Sequence, residues 1–331
     1  MKQIMAIVFA GVFLFSGIAS AVPLDTIVFV SDRSGTNEIW SMNSDGTNLH
    51  QITNESDPNL EVYFPKWSPD GTKIAYVAGP HVTQGRSLIV IDADGSNRTV
   101  VRQNNVSTYG AAWLDNDSLY FGSSDIGDNK LYSIELNGTN EQLLFDPSEE
   151  TQSIDYDPNS QMIAYIGHNI HALDRGLFTL TTDYYVSTNI KPTTNPSKEL
   201  HQNLRWNSTG DKLLTSYFID ATIPIPQTGA YLSTIDSNGD NFSMTSINGL
   251  QGDWMNNDSA FVYVAPSTGI WGDDVDLWMS GIDGSNITQL TYGSSNDYMP
   301  DVYSTPVPEP TTVLLLGTGL IGLAGIRRKF R

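Results

Sequence analysis

Cysteine is missing from the chain of 331 residues, so no disulfide bond contributes to its stability. Basic residues are scarce, because 17 Lys and Arg stand against 37 Asp and Glu, and the formal net charge is −20. Such a surface repels nucleic acid and anionic lipid, which excludes DNA- and RNA-binding functions. Hydrophobic residues make up 39% of the chain, enough for a packed core rather than a disordered protein.

Local catalytic signatures are missing as well. The chain contains no nucleophile elbow, no HExxH motif and no phosphate-binding glycine loop. We therefore predict no catalytic residues and favour a protein that binds without catalysis. A polysaccharide lyase or hydrolase stays an alternative, because an acid and a base contributed by separate parts of the chain would leave no local motif.

The first 21 residues have the layout of a cleavable secretory signal. Lys2 precedes an apolar stretch from Ile4 to Ile18, and the small residues Ala19 and Ala21 stand just before the predicted processing site. Cleavage is expected before Val22. The chain is therefore predicted to be exported across a membrane.

The C-terminal segment VPEPTTVLLLGTGLIGLAGIRRKFR combines three features in a fixed order. Pro308, Glu309 and Pro310 come first, and proline on both sides of the glutamate keeps this motif extended. An uncharged run from Thr311 to Ile326 follows. As a helix it would measure roughly 24 Å, less than the roughly 30 Å hydrocarbon core of a bilayer. The basic residues at the end are Arg327, Arg328, Lys329 and Arg331.

These three features resemble the PEP-CTERM sorting signal of Gram-negative bacteria. The resemblance implies recognition and cleavage by an exosortase, a transpeptidase-like membrane enzyme. The basic cluster would stay on the cytoplasmic side and hold the apolar helix in the membrane until processing. We therefore expect a protein of the bacterial envelope, at the cell surface or extracellular, that is anchored in a membrane only transiently by its C-terminal helix.

One pattern recurs six times between residues 26 and 304. Its most regular mark is a mostly aromatic position that returns at intervals of 46, 43, 50, 48 and 48 residues. The residues at this position are Trp67, Trp113, Tyr156, Trp206, Trp254 and Val302. Repeats of roughly 40–50 residues are typical of propellers and related arrays. Because the tryptophans keep a fixed place in the repeat, we expect them to pack between blades rather than to stack on a ligand.

Each copy is built from short β-runs and tight turns. Ile27–Val30, Ile74–Val77 and Phe261–Val264 are continuous apolar runs, typical of strands that are buried on both faces. Pairs such as Asp45-Gly46 and Asn137-Gly138 supply hairpin turns that need positive φ. No convincing amphipathic helix interrupts the series, so the body is predicted to be all-β.

The segments DGTNLHQIT (45–53) and PKWSPDGTKIAY (65–76) resemble the TolB-like propeller repeat, a WD40-like PD40 repeat. Its pattern is D-G-x-N-L-x-x-L-T followed by P-x-W-S-P-D-G-x-x-I-A-F, and six copies imply six blades. The third copy departs most, with Tyr156-Asp157-Pro158-Asn159 in place of the tryptophan turn. The first apolar run lacks a preceding tryptophan strand, and the last copy supplies one at Met299–Tyr303. We therefore predict that the N-terminal strand completes the last blade and closes the ring.

Three segments follow from these observations: a signal peptide (1–21), a six-bladed propeller (22–304) and a sorting signal (305–331). Repeat-specific loops after the apolar strands are predicted to open on one face of the disc, where binding usually occurs. The candidate ligand residues on this face are Asp32, Arg33, Arg86, Asp174, Arg175, Trp271, Asp273, Asp274 and Asp276. The aspartates of WGDDVD could bind Ca²⁺ through their oxygens, although a solvated acidic loop is the simpler interpretation. No other cofactor is expected, and Trp271 is the tryptophan predicted to stack on a ligand.

The leading hypothesis is a secreted, exosortase-processed propeller that binds a glycan or a matrix or envelope protein. A periplasmic TolB-like envelope role is the second hypothesis. The sorting tail speaks against it, as does the expectation that no separate N-terminal domain precedes the propeller. A propeller-type polysaccharide lyase or hydrolase is the third, and the fold by itself does not distinguish these hypotheses.

Overall fold

The computed structural model describes residues 25–55, 60–80, 85–104, 106–123, 130–146, 150–169, 174–183, 186–192, 199–219, 230–268 and 274–304. Every regular element within these ranges is a β-strand, which confirms the all-β prediction. No helix in these ranges is long and apolar enough to cross a bilayer. The predicted signal peptide, C-terminal helix and sorting motif lie outside the described residues.

Within the described ranges, twenty-four strands form six four-stranded antiparallel sheets, and each sheet is one blade. Blade 1 contains β4 (Glu61–Trp67), β5 (Lys73–Gly79), β6 (Ser87–Asp92) and β7 (Thr99–Arg102). Blade 2 contains β8 (Val106–Trp113), β9 (Ser118–Ser123), β10 (Leu131–Glu135) and β11 (Gln142–Phe145). Blade 3 contains β12 (Glu150–Asp157), β13 (Met162–Asn169), β14 (Asp174–Thr181) and β15 (Ser187–Pro192).

The second half of the ring repeats this arrangement. Blade 4 contains β16 (Glu199–Trp206), β17 (Lys212–Ile219), β18 (Ala230–Asp236) and β19 (Ser243–Asn248). Blade 5 contains β20 (Leu250–Met255), β21 (Ala260–Pro266), β22 (Val275–Gly281) and β23 (Thr288–Gln289). Blade 6 contains β24 (Asp297–Tyr303), β1 (Thr26–Ser31), β2 (Glu38–Asn43) and β3 (His50–Gln51).

Blade 6 joins the two ends of the described chain. Strand β1 pairs antiparallel with β24, with Thr26 opposite Tyr303 and Ser31 opposite Asp297. The N-terminal strand therefore occupies the second place in a blade whose first strand comes from the C-terminal end. This pairing confirms the closure that the repeat count predicts, and it leaves no long unpaired edge at the seam.

The hydrophobic core lies between blades rather than within one layer. Six clusters of buried side chains fill the six blade junctions. At the closing junction, Val28 and Val30 of blade 6 pack with Ile74 and Tyr76 of blade 1. The second strand of each blade is thus covered on both faces, which explains why apolar residues run continuously along it instead of alternating.

The Asp-Gly and Asn-Gly hairpins bring neighbouring blades together at the rim. In the turn after β10, Gly138 has φ +79° and Asn140 has φ +56°. A Cβ on Gly138 would lie 2.9 Å from the carbonyl oxygen of Val101 in blade 1. Glycine is therefore required both by the turn geometry and by the close approach of the neighbouring blade.

The innermost strand of every blade is interrupted by one residue with positive φ, three positions before the repeat tryptophan position. These residues are Phe64, Gly110, Ser153, Asn203, Gln251 and Met299, with φ between 47° and 84°. Their neighbours shift register against the second strand, as in a β-bulge. A bulge changes the direction in which the following side chains point, and the same change occurs in all six innermost strands.

Tight turns and longer loops lie on opposite faces of the disc. In blade 1, the turns after β4 and β6 are short, while residues 80–86 connect β5 to β6. Because successive antiparallel strands run in opposite directions, the turns after first and third strands share one edge of the blade. We call that side the turn face and the opposite side, which bears those predicted ligand residues that the structure describes, the loop face.

Candidate functional site at the propeller axis

Six equivalent positions meet at the centre of the ring, each directly before the repeat tryptophan position on an innermost strand. The residues there are Lys66, Ala112, Asp155, Arg205, Asp253 and Asp301. We call this set the axial ring. Five of the six are ionisable, and all except Asp155 are more than nine-tenths buried.

The cations of the axial ring pair with aspartates of other blades. Lys66 Nζ lies 3.0 Å from Asp155 Oδ1 and 3.2 Å from Asp301 Oδ1. Arg205 Nε lies 3.6 Å from Asp301 Oδ1 and 3.9 Å from Asp253 Oδ2. These distances connect blades 1, 3, 4, 5 and 6, so the ion pairs hold the inner wall together across the axis.

Each aspartate of the axial ring also accepts a backbone hydrogen bond from the following blade. Trp67 N donates to Asp301 Oδ2 and Trp206 N donates to Asp155 Oδ2, both at 2.7 Å. Val302 N donates to Asp253 Oδ2 at 2.8 Å. Charge-assisted bonds of this kind are stronger than those between neutral groups, and here they fasten three of the six junctions.

Arg205 has unused hydrogen-bonding capacity. Its side chain is 4% exposed, and Nη1 donates to its neighbour's carbonyl oxygen, Leu204 O, at 2.8 Å. Nε and Nη2 are buried without a hydrogen-bond partner in the described part of the chain. These two groups form one edge of the guanidinium, which is a pair of parallel donors.

Asp253 lies in a site that disfavours its charge. Burial, and after it the negative charge of Asp301, raise the pKa of Asp253 to about 7. Arg205 and Lys66 oppose this shift only in part. Near neutral pH, Asp253 therefore holds a proton for a substantial fraction of the time, while two cations remain in the axial ring.

A cavity of about 460 Å³ lies above the axial ring. All six blades contribute to its lining, including every member of the ring. Its outer wall is formed by aromatic and proline side chains and by turn residues of the turn face: Trp67, Pro69, Trp113, Asn116, Tyr156, Pro158 and Trp206. The cavity therefore opens toward the turn face, and a polar floor lies beneath a largely apolar wall.

On the loop face, the predicted ligand residues Asp32 and Arg33 form hydrogen bonds with residues next to and within β24. Asp32 accepts hydrogen bonds from Asn296 N at 2.8 Å and from Asn296 Nδ2 at 2.9 Å. Arg33 Nη2 donates to both carboxylate oxygens of Asp297, at 2.7 and 2.6 Å. Both residues thus fasten the end of β1 to the start of β24, and a role in ligand binding stays a prediction for each.

Asp276 is buried completely, at 0% exposure. It accepts hydrogen bonds from Gln289 Nε2 at 2.9 Å and from Thr291 Oγ1 at 3.3 Å. Burial raises the pKa of Asp276 to about 6, and the charge of Asp297 contributes to the shift. Glu38 and Thr53 form the same contact in blade 6 at 2.5 Å, so this acid–threonine pair occurs in two neighbouring blades.

The other predicted residues that the structure describes also lie on the loop face. Arg86 is buried with its guanidinium 5.1 Å from the Tyr63 ring centre. Asp174 and Arg175 begin strand β14, and Asp274 is half-buried just before β22. Trp271 and Asp273 lie outside the described residues, as do the sorting residues Pro308, Glu309, Pro310, Arg327, Arg328 and Lys329 and the processing residues Ala19, Ala21 and Val22. No group of three metal-ligating side chains occurs within the described ranges, and Ca²⁺ binding by WGDDVD stays a prediction.

Sequence reasoning placed the site on the loop face and missed the axial ring. A signal was present, because the residue before the tryptophan position is charged in five of the six copies. PKWSPDG and LRWNSTG show it most clearly. A charge that repeats directly before the buried tryptophan position indicates a position that faces the axis of a propeller rather than a neighbouring blade.

Three comparisons with known proteins address the body of the chain. A TolB homologue of Chlorobium chlorochromatii is 33% identical over 142 residues, which cover 42% of this chain and 30% of the homologue. The crystal structure of TolB from Acinetobacter baumannii superimposes with a TM-score of 0.67 at 16% identity, covering 84% of this chain and 66% of that one. A chain of a nidogen/laminin complex matches with a TM-score of 0.63 at 10% identity, covering 84% of this chain and 98% of that one.

The body is a TolB-like six-bladed β-propeller. The chain spans less than a third of the length of the curated TolB homologues that it matches. The structural likenesses, both under 25% identical, show the fold of this TolB-like propeller alone.

A sorting motif accompanies the TolB-like propeller. Residues 306–329 match the family model described as the PEP-CTERM protein-sorting motif. The motif indicates an exported, envelope-associated protein that is processed by an exosortase. This match confirms the resemblance that the Pro-Glu-Pro, apolar and basic segments suggested.

Proposed function

We propose that this protein is a binding module, displayed at the cell surface or in the extracellular matrix, whose ligand enters the axial cavity from the turn face. The observation that carries the proposal is buried Arg205, which lines an open cavity and whose Nε and Nη2 have no hydrogen-bond partner among the described residues. Burying such donors without partners is costly, so a ligand that supplies acceptors to them gains binding free energy. A glycan or a protein of the matrix is the proposed class of ligand.

The axial ring supports binding more than catalysis. Each of its aspartates accepts a backbone hydrogen bond at 2.7–2.8 Å, and those bonds hold blades together. A carboxylate so engaged cannot move to a substrate without breaking a junction. One observation favours a lyase or hydrolase as second candidate: Asp253, with its pKa raised to about 7, lies beside a second acid.

Blocking the mouth of the cavity tests the binding site. Asn116 is exposed on a turn that lines the cavity, and Asn116→Trp would cover the opening without disturbing the core. Asn137→Trp is the matched control, because Asn137 is an exposed asparagine of the same blade in a rim turn away from the axis. We expect exported wild-type protein and the control to co-sediment with the producer's own matrix, and Asn116→Trp to lose most of this binding.

The same samples separate a binder from an enzyme. Polymer length is followed over time by size-exclusion chromatography with light scattering. Constant length with bound protein supports the binding module. Shortening of the polymer that stops in Asp253→Asn would make the protein an enzyme and overturn the proposal, and equal binding by Asn116→Trp and Asn137→Trp would remove the axial cavity as the site.

Display at the surface depends on the sorting motif. Changing both Pro308 and Pro310 to alanine allows helix to extend through the motif and is expected to block exosortase cleavage. The full-length protein would then accumulate in the membrane fraction with its basic end still attached, which mass spectrometry of the C-terminus detects. Unchanged processing and unchanged surface delivery would contradict this part of the proposal.

A further inference from the structure

The charges in the axial ring balance one another. Lys66 and Arg205 face Asp155, Asp253 and Asp301, and burial keeps Asp253 partly protonated near neutral pH. The floor of the cavity therefore offers little net charge to a charged ligand. An anionic ligand would be repelled by the three aspartates, and a cationic ligand would be repelled by the two basic groups.

The hydrogen-bonding groups of the floor are of both kinds. The Nε and Nη2 edge of Arg205 supplies donors without partners among the described residues, while Asp253 and Asp301 have carboxylate oxygens only 3.6–3.9 Å from Nε. That separation is too long for a direct hydrogen bond. A hydroxyl placed beside this gap would accept from the guanidinium and donate to a carboxylate, and so satisfy both.

The wall above the floor suits the apolar faces of a ring. Trp67 and Tyr156 are half-buried in the lining, and Pro69 and Pro158 are exposed at the mouth. Aromatic and proline side chains present flat apolar surfaces, and a sugar ring offers C–H groups on its faces and hydroxyls at its edge. The layout of the cavity, with apolar walls and a polar floor, matches that distribution.

We propose that the axial cavity binds an uncharged segment of a glycan, with neighbouring hydroxyls docked between the Arg205 edge and the carboxylates of Asp253 and Asp301. This inference rests on the proposed binding function and names its ligand class. The overall charge of −20 agrees with it, because an acidic polymer would be repelled before it reached the cavity.

The test uses the protein recovered from producing cells after export. The producer's matrix polymer is partly hydrolysed and separated by anion exchange into neutral and acidic oligosaccharide fractions, and each is titrated by calorimetry. We expect the neutral fraction to bind and the acidic fraction to bind at least tenfold more weakly. Arg205→Lys keeps the charge but loses the paired donors, so binding of the neutral fraction should weaken about tenfold or more.

A matched control and a second variant keep the result clear. Arg98→Lys changes an arginine that pairs with Glu55 at 3.0 Å on the rim, and it should leave binding unchanged. If Arg205→Lys fails to fold, Asp253→Asn replaces it, since the amide retains the shape but is a poorer acceptor for a hydroxyl; weaker binding of the neutral fraction is again expected.

The outcomes separate this inference from the proposed function. Preferential binding of the acidic fraction, or of a matrix protein, that Asn116→Trp blocks would keep the axial site and overturn the neutral-glycan inference. Binding of the neutral fraction that neither Arg205→Lys nor Asp253→Asn weakens would also overturn it. Absence of any binding that Asn116→Trp blocks would overturn both.

Discussion

Two kinds of hydrogen bond join neighbouring blades near the axis, and they differ in which blade contributes the side chain. At the junction of blades 3 and 4, Asp155 extends its carboxylate forward to Trp206 N. At the junction of blades 4 and 5, Trp254 instead donates backward through its indole Nε1 to Arg205 O at 3.1 Å. The residue before the tryptophan position decides between them, because an aspartate can accept a backbone N–H and a cation cannot.

The two kinds of junction also depend on each other. The carboxylates occur at the junctions of blades 3 and 4, 5 and 6, and 6 and 1, and the indole bonds occur after Lys66 and Arg205. The side chains of Lys66 and Arg205 make no such junction bond and instead pair at the axis with the aspartates that join the other blades. At the junction of blades 2 and 3, Ala112 has no carboxylate and Tyr156 no indole; there the ring of Tyr156 lies edge-on to that of Tyr120, with ring centres 5.2 Å apart.

Removing a central carboxylate should lower the stability of the propeller most strongly. Asp301→Ala deletes the acceptor of Trp67 N and the partner of both Lys66 and Arg205. Breaking a buried ion pair of this kind costs about 3–5 kcal/mol, and we expect a loss of that size in the free energy of unfolding measured in urea. Asp92→Ala, which removes a half-buried pair with Lys73 away from the axis, serves as control and should cost far less. Equal losses in the two variants would show that the axial ring does not hold the blades.

The pH dependence of stability is a smaller effect with a defined sign. Because the pKa of Asp253 is raised to about 7 in the folded state, folding favours its protonated form. The resulting stabilisation is complete below pH about 4 and is lost as the pH rises through about 7. We expect the free energy of unfolding to fall between pH 5 and pH 8. Asp253→Asn, which mimics the neutral acid and can still accept from Val302 N, should flatten this slope, and an unchanged slope would contradict the assignment.

The fold was predictable because its determinants are local and repeated. Asp45-Gly46 and its equivalents fix hairpins, and the count of tryptophan positions requires β1 to complete the blade that β24 begins. The axial ring was harder to recognise, although a charged residue repeats before the tryptophan position, because the bulge residues Phe64, Ser153 and Met299 share no chemistry that a single sequence reveals. Their common role is geometric, and it appears only when the strands are placed side by side.

The loop face shows the opposite limit of sequence reasoning. Asp32 and Arg33 have the charge and the loop position expected of ligand residues, yet their partners Asn296 and Asp297 lie 264 residues away in the chain. A contact of that sequence separation follows from ring closure and not from any local pattern. The sequence therefore shows the charges of Asp32 and Arg33, while their pairing depends on the three-dimensional seam.

The smallest effect that we predict is a difference in stability between two tryptophan variants, one at each kind of junction. Trp206 and Trp254 occupy equivalent positions and are both 8% exposed, but only the indole of Trp254 donates, to Arg205 O. The Nε1 of Trp206 is buried with no partner in the described ranges. Trp254→Phe should therefore lower the free energy of unfolding by about 1 kcal/mol more than Trp206→Phe, because both lose similar apolar area and only one loses a hydrogen bond. Urea unfolding of the two variants measures the difference, and a larger loss in Trp206→Phe would show that packing, not the indole bond, distinguishes these junctions.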